Sequence, residues 1–180
     1  MKFCQLCFYV AGIEKNSEKC KHCAMKYEEL DRTDKFILQA LQDKGNLPLS
    51  ELAERVGLSA SSCHRRVKLL EERGLITGYA ARLDRKSLGL ANEFFVEVSL
   101  IAQSEDALEK FEKAVQRVPE ILECHLMSGQ FDYLLRVVAR DAEDYERIHR
   151  TRLARLPGLQ RIQSSLALRT IKNWSGYPVF

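Results

Sequence analysis

Residues 49–73, LSELAERVGLSASSCHRRVKLLEER, decide the fold. They read as two helices joined by a tight turn. Ser50 is expected to cap the first helix, with Glu51 favourable in its first turn. Leu52, Ala53 and Val56 make its apolar face. Gly57 stands where a helix ends on a left-handed residue, and Leu58 plugs the turn. Ser59 is expected to cap the second helix, with Ser62 three residues on. Ala60, Cys63, Val67 and Leu70 recur there at the helical period and form an inner face. Ser61, Ser62, Arg65, Arg66 and Lys68 take the other side, and no acid occurs from Ser59 to Leu70. Such a helix fits a DNA major groove: short hydroxyls and Arg reach base edges, and Arg or Lys neutralise phosphates. The alternative is a solvated basic face on an ordinary helical pair. Residues 71–76, EERGLI, close the second helix at a Gly stop and enter an extended run over 76–83, which reads as a wing.

Bulk charge says nothing about nucleic acid. The net charge of +3 is spread as +1 over each of residues 1–30, 31–84 and 85–180 (five basic against four acidic, nine against eight, fourteen against thirteen). Only the cluster at His64, Arg65, Arg66 and Lys68 is locally basic. A hydrophobic content of 46% and a charged content of 29% are ordinary for a folded soluble chain of 180 residues in one or two domains. No apolar run approaches the roughly 20 residues of a membrane span, and no apolar signal-peptide core is present at the N-terminus. The expected compartment is the cytoplasm, where cysteines serve as ligands or core residues rather than disulfides.

Upstream of the helix pair, Asp31-x-x-Asp34 is expected to cap a helix to about Asp43, with Phe36, Ile37, Ala40 and Leu41 as its inner stripe. Gly45-Asn46-Leu47-Pro48 breaks it. Downstream, residues 84–91 read as a connector, and the period then changes from 3.6 to 2. Phe94, Val96, Val98 and Leu100 alternate as a strand. Ser104 caps a helix with Leu108, Phe111 and Val115 inward. Leu122, Cys124 and Leu126 alternate as a second strand, and residues 133–139 form a third. Asp141 caps a helix with Tyr145, Ile148, Leu153 and Leu156 inward, and residues 160–170 form a fourth strand. The order βαββαβ is the ferredoxin-like plan: an antiparallel four-stranded sheet with both helices on one face. Its other face, with Phe95 and Leu134, needs a cover, for which a second copy is the natural candidate. The fold class is therefore α+β: a winged helix-turn-helix domain over 30–84, a hinge over 85–91, a βαββαβ ligand-sensing and dimerisation domain over 92–171, and a tail over 172–180.

Residues 128–133, SGQFDY, lie in the turn before the third strand. Asp132 suits the ammonium group of an amino-acid ligand, and Ser128-Gly129 allow its carboxylate to approach the backbone. The alternative for Asp132 is a turn residue that bonds its own backbone. His125 reads as structural, and no arrangement for nucleophilic or paired-carboxylate catalysis stands out.

LDRTDKFIL, LSELAERVGLSASSCHRRVKLLEERGLITGYAARLD, SGQFDYLLRV and RLPGLQRIQS occur in this order between Leu30 and Ile171. In these blocks the chain resembles the leucine-responsive regulator (Lrp/AsnC) family. The resemblance implies a transcriptional regulator that binds double-stranded DNA, pairs through its second domain and often builds octamers. It implies an amino-acid effector at Ser128, Gly129, Gln130, Phe131, Asp132 and Tyr133. The expected DNA-contacting set is Ser50, Ser59, Ser61, Ser62, His64, Arg65, Arg66 and Lys68. Siroheme decarboxylase subunits also resemble this family, but an enzyme of that kind has no need of a basic second helix. A stand-alone sensing partner without DNA is the third reading.

Residues 1–29 depart from the family pattern. Cys4-x2-Cys7 and Cys20-x2-Cys23 stand twelve residues apart. Each pair can offer two thiolates to a tetrahedral ion, and together they make a Cys4 zinc site whose metal would supply the folding energy of so short a segment. The spacing resembles a zinc ribbon or rubredoxin-like knuckle, with iron as the variant metal and His22 as a substitute ligand. Disulfides, or a start at Met25, are the competing readings. Elemental analysis of protein expressed from Met1 is expected to give one zinc per chain; less than half an equivalent with four freely titrating thiols overturns the site.

Overall fold

The computed structural model describes residues 30–179. Cys4, Cys7, Cys20 and Cys23 lie outside the described residues. The described chain divides into two units, one of residues 30–81 with 174–179 and the other Arg82–Asn173. The expected boundaries thus shift at two points. The connector belongs with the second unit, where Ser87 N–H donates to Asp84 (2.7 Å) and the Arg85 guanidinium donates to the carbonyls of Leu90 (2.6 Å) and Ala91 (2.5 Å). The tail belongs with the first.

In the first unit, α1 spans Arg32–Asp43, α2 Leu49–Arg55 and α3 Ala60–Glu72. Asp31 caps α1 by accepting from Asp34 N–H at 2.7 Å. Ser50 does not cap α2: the cap position is Pro48, with no side-chain bond, so Ser50 falls within the first turn. The turn between α2 and α3 closes as the sequence requires. Gly57 has φ +68°, Gly57 N–H donates to Glu54 O (3.2 Å) and Leu58 N–H to Ala53 O (2.9 Å). These two bonds satisfy the last carbonyls of α2, and a side chain at Gly57 would be strained in the left-handed region. The same pair of bonds ends α3, from Gly74 N–H to Glu71 O and from Leu75 N–H to Leu70 O.

The core of this unit is Leu30, Ile37, Leu52, Ala53, Cys63 and Leu70. Phe36 departs from the expected inner stripe. It is 51% exposed and carries the Arg32 guanidinium 5.3 Å above its ring. The extended run expected over 76–83 forms no strand: residues 77–84 take part in no β pairing among the described residues, and the Tyr79 hydroxyl donates to Glu71 at 2.9 Å.

In the second unit the elements are β1 Asn92–Leu100, α4 Glu105–Val115, β2 Ile121–Leu126, β3 Tyr133–Ala139, α5 Ala142–Thr151, a 3-10 turn Leu153–Arg155, and β4 Leu159–Leu166. Ser104 and Asp141 cap the two helices as expected, accepting from Ala107 N–H (3.4 Å) and Asp144 N–H (2.7 Å). α5 ends at Thr151, before the Pro157-Gly158 stop, and β4 ends short of Thr170.

The sheet order is β2-β3-β1-β4, all neighbours antiparallel. Phe94, Val96, Val98 and Leu100 of β1 join Tyr133, Leu135 and Val137 of β3, packed with Leu108, Phe111 and Val115 of α4 and Ile148 of α5. Burying Phe111 alone is worth about 1.5–3 kcal/mol. The second strand departs from simple alternation. Its register shifts between Ile121 and Glu123, so Ile121 and Cys124 pack on the core while Leu122 stays exposed. On the opposite sheet face, Arg136 ties β3 to both neighbours through Glu93 on β1 and Glu123 on β2, the latter at 2.6 Å.

Candidate functional site

The expected DNA-contacting residues separate into three kinds. Ser61, His64, Arg65 and Lys68 are exposed on α3 and recur at spacings of three and four, so they form one stripe. Ser59 and Ser62 serve the helix start: Ser59 Oγ accepts from Ser62 N–H at 3.3 Å and donates to Ser62 Oγ at 3.1 Å. Ser50 is exposed on α2, away from the stripe's helix.

Arg66 is the third kind, and it corrects the sequence reading. Its Nη1 donates to Asp31 Oδ2 at 2.6 Å and to Asp34 Oδ1 at 2.7 Å. Its side chain is 27% exposed, and Asp34 is buried. Arg66 is thus opposed by two acids of the α1 start and clamps α3 to that helix. The backbone N–H of Asp34, with the Arg66 guanidinium behind it, holds the Asp31 carboxyl below its ordinary range. That contribution to stability is present above the unfolded carboxyl pKa and is lost as pH falls through the lower folded value.

The six turn residues of the second unit also separate. Met127 N–H donates to Asp132 O at 2.8 Å and closes the hairpin. Asp132 does not present a free carboxylate, nor does that carboxylate bond its own turn. Oδ2 accepts from Leu100 N–H at 2.7 Å and Oδ1 from the Gln103 amide at 2.6 Å, while Asp132 N–H donates to Val98 O at 2.9 Å. Asp132 therefore pins the turn to the end of β1. Tyr133 is 1% exposed; its ring lies 4.5 Å from that of Phe111 and its hydroxyl donates to Glu112 at 2.8 Å. It is a core residue on the helical side. Ser128 and Gly129 are exposed at the tip.

Gln130 and Phe131 line an open cleft of about 200 Å³ with Glu97 and Ser99 of β1 and Arg161 and Gln163 of β4. The register sets Glu97 opposite Gln163 and Ser99 opposite Arg161, so Glu97 and Arg161 are diagonal neighbours on one sheet face. Arg161 donates to Gln163 at 2.9 Å, and the Glu97 side chain makes no hydrogen bond or ion pair among the described residues. Strict alternation along β1 and β4 carries the signal for this pair, but the two positions lie 64 residues apart and meet only once the register is known. Elsewhere, His125 is exposed beside Glu123, and Cys63 and Cys124 are core thiols. Burial, helped by the Glu112 charge, pushes the Cys124 thiol up to about 11, which suits packing rather than nucleophilic work.

The two arginines of α3 should behave oppositely. Arg65→Ala is expected to lose about 1–3 kcal/mol of specific DNA binding in a gel-shift titration while leaving the melting temperature in place. Arg66→Ala leaves Asp34 buried without its cation and is expected to cost about 1.5–3 kcal/mol of stability in denaturant unfolding. Equal DNA affinity in wild type and Arg65→Ala would remove the stripe from the interface.

Residues 30–77 match the winged helix-turn-helix DNA-binding model, and residues 93–176 match the Lrp/AsnC ligand binding domain model. The chain is 42% identical over 151 residues to the Bkd operon transcriptional regulator of Pseudomonas aeruginosa, covering 84% of this chain and 99% of that protein. It is 41% identical to the leucine-responsive regulatory protein of Escherichia coli K12 over 81% of this chain and 88% of that one. Among solved structures it resembles a transcriptional regulator from Neisseria meningitidis in complex with L-Met, with a TM-score of 0.79 and 40% identity over 83% of this chain and 96% of that chain. Two domain models in the right order and relatives aligned across both show that the chain belongs to the Lrp/AsnC family, with a winged helix-turn-helix DNA-binding domain followed by the family's ligand-binding domain.

Proposed function

We propose that this transcriptional regulator reads DNA with Ser61, His64, Arg65 and Lys68 and answers to an α-amino acid at the cleft beside Glu97 and Arg161. The exposed stripe on α3 carries the DNA reading. Its helix is held at both ends by backbone bonds and by the Arg66 clamp, so base-reading side chains project from a fixed axis. Arg65 is placed to read a base edge, and Lys68, one turn on, to neutralise a phosphate. Selection of genomic fragments by the purified protein, with and without pooled amino acids, tests this reading; failure to enrich any fragment would count against it.

The cleft supplies the two charges a zwitterion needs. Glu97 suits the ammonium group, the Arg161 fork suits the carboxylate, and Phe131 offers apolar surface to the ligand side chain. Asp132, which the sequence suggested for the ammonium, acts instead by fixing the turn that carries Gln130 and Phe131. L-Met, the ligand of the Neisseria relative, supports the ligand class. A second copy is the partner proposed for the same sheet face, where Phe95 is 40% exposed. No helix among the described residues is long and apolar enough to cross a membrane, and the proposed place of action is the cytoplasm.

Calorimetry with L-methionine and a panel of other amino acids should find one that binds wild type. Glu97→Gln and Arg161→Met are each expected to weaken that amino acid at least ~10-fold, the loss of one charge-assisted contact. Unchanged affinity in both variants would move the ligand away from this cleft.

A further inference from the structure

Residues 174–179 leave the ligand-binding unit and lie with the DNA-reading one. The contact is specific. The Gln42 side-chain amide donates to Tyr177 O at 2.9 Å, and Tyr177 N–H donates to Gln42 Oε1 at 2.6 Å. One side chain thus satisfies both polar groups of a single backbone residue, as a neighbouring strand would. Gly176 sits immediately before it at φ +116°. A Cβ at Gly176 would stand 2.5 Å from Gln42 Oε1 and 2.8 Å from its Cδ, so any other residue there would push the amide off. Trp174 meets Tyr177 edge to face, ring centroids 5.8 Å apart, and Pro178 restricts the backbone just after.

Gln42 lies in the last turn of α1. The start of the same helix holds Asp34, which with Asp31 grips Arg66 of α3. A rigid helix therefore joins the tail to the recognition helix. The chain also passes between the two units twice, at 81/82 and at 173/174, and the second passage follows from β4, the strand that bears Arg161 and Gln163.

We propose that residues 174–179 are a latch that holds the DNA-reading unit in its binding conformation, with Gln42 and Gly176 as positioning residues for DNA recognition. The latch rests on the reading of α3 as the recognition helix. The Gln42–Tyr177 bonds are exposed, which suits a contact that opens and closes rather than a piece of core. Opening frees the α1 end from the hydrogen bonds of the tail while the covalent passages at 81/82 and 173/174 stay in place.

Trp174 is the only tryptophan of the chain and reports on the latch directly. Gln42→Ala and Gly176→Val in the full chain each test it, by the fluorescence anisotropy of Trp174, which is exposed but held on the docked tail, by circular-dichroism melting, and by affinity for a selected operator fragment and for random DNA. Both variants are expected to lower the anisotropy, to melt near the wild-type temperature, and to lose about 10-fold or more in operator affinity with random DNA little changed. Unchanged anisotropy in both would show that the tail is not docked through Gln42, and overturns the proposal. Freed Trp174 with unchanged operator affinity overturns it as well, while the DNA reading stands on wild-type binding. Absence of operator binding by wild type overturns both.

Discussion

One buried carboxylate governs the geometry of the DNA-reading unit. Asp34 stands in the first turn of α1, shielded from water, and its charge is affordable only because Arg66 reaches it from α3. The pair joins positions 32 residues apart, so it forms only when the helices are already packed on Ile37, Leu52, Cys63 and Leu70. Apolar packing brings α1 and α3 together with little angular preference. The ion cluster supplies the preference, because a guanidinium nitrogen between two carboxylates tolerates little sliding. A recognition helix needs that fixity, since base contacts are lost when the helix axis drifts by a fraction of a base step.

In the second unit the corresponding constraint is the central place of β1. It pairs with β3 on one side and β4 on the other, and its alternation assigns every inward residue to the core and every outward one to the free face. Because Phe94, Val96 and Val98 are fixed inward, Glu97 and Ser99 cannot avoid the outer face. β4, held in register by the same strand, brings Arg161 beside them. The core that stabilises the unit therefore also aligns the charges of the cleft, with no residue of the cleft contributing to the core.

Local chemistry was legible in the sequence where a residue's partner is local. Asp31, Ser59, Ser104 and Asp141 were each identified as caps, and each accepts a backbone N–H three residues on. Ser50 is not a cap because the helix already starts at Leu49, with Pro48 in the cap position, so Ser50 lies within the first turn. Phe36 failed because an adjacent Arg32 covers its ring, which lets an aromatic sit outside. The two acids that meet Arg66 were hidden for a different reason. On a helical wheel at about 100° per residue, Arg66 falls only about 40° from buried Leu70 and about 100° from Arg65. The wheel thus marked it as a boundary residue, but its acids belong to another helix and no local pattern names them. The absence of a strand over 77–84 and the Leu122 bulge were not legible either, since an extended run shows its pairing only when a neighbouring strand is known.

Asp132 illustrates how a family signature and a physical role differ. The resemblance placed this residue at the ligand, and its acid suits an ammonium group. The structure uses both carboxylate oxygens within the fold, on the last residue of β1 and on Gln103. The turn it pins carries Gln130 and Phe131 to the rim of the cleft. A ligand that replaced those two bonds would free the turn from β1, whereas a ligand bound at Glu97 and Arg161 leaves them intact and gains a preorganised wall. Binding to a preformed cleft asks less of the protein than binding that first breaks an anchor. This favours the strand residues as the charged contacts and leaves Asp132 as the residue that keeps the cleft in shape.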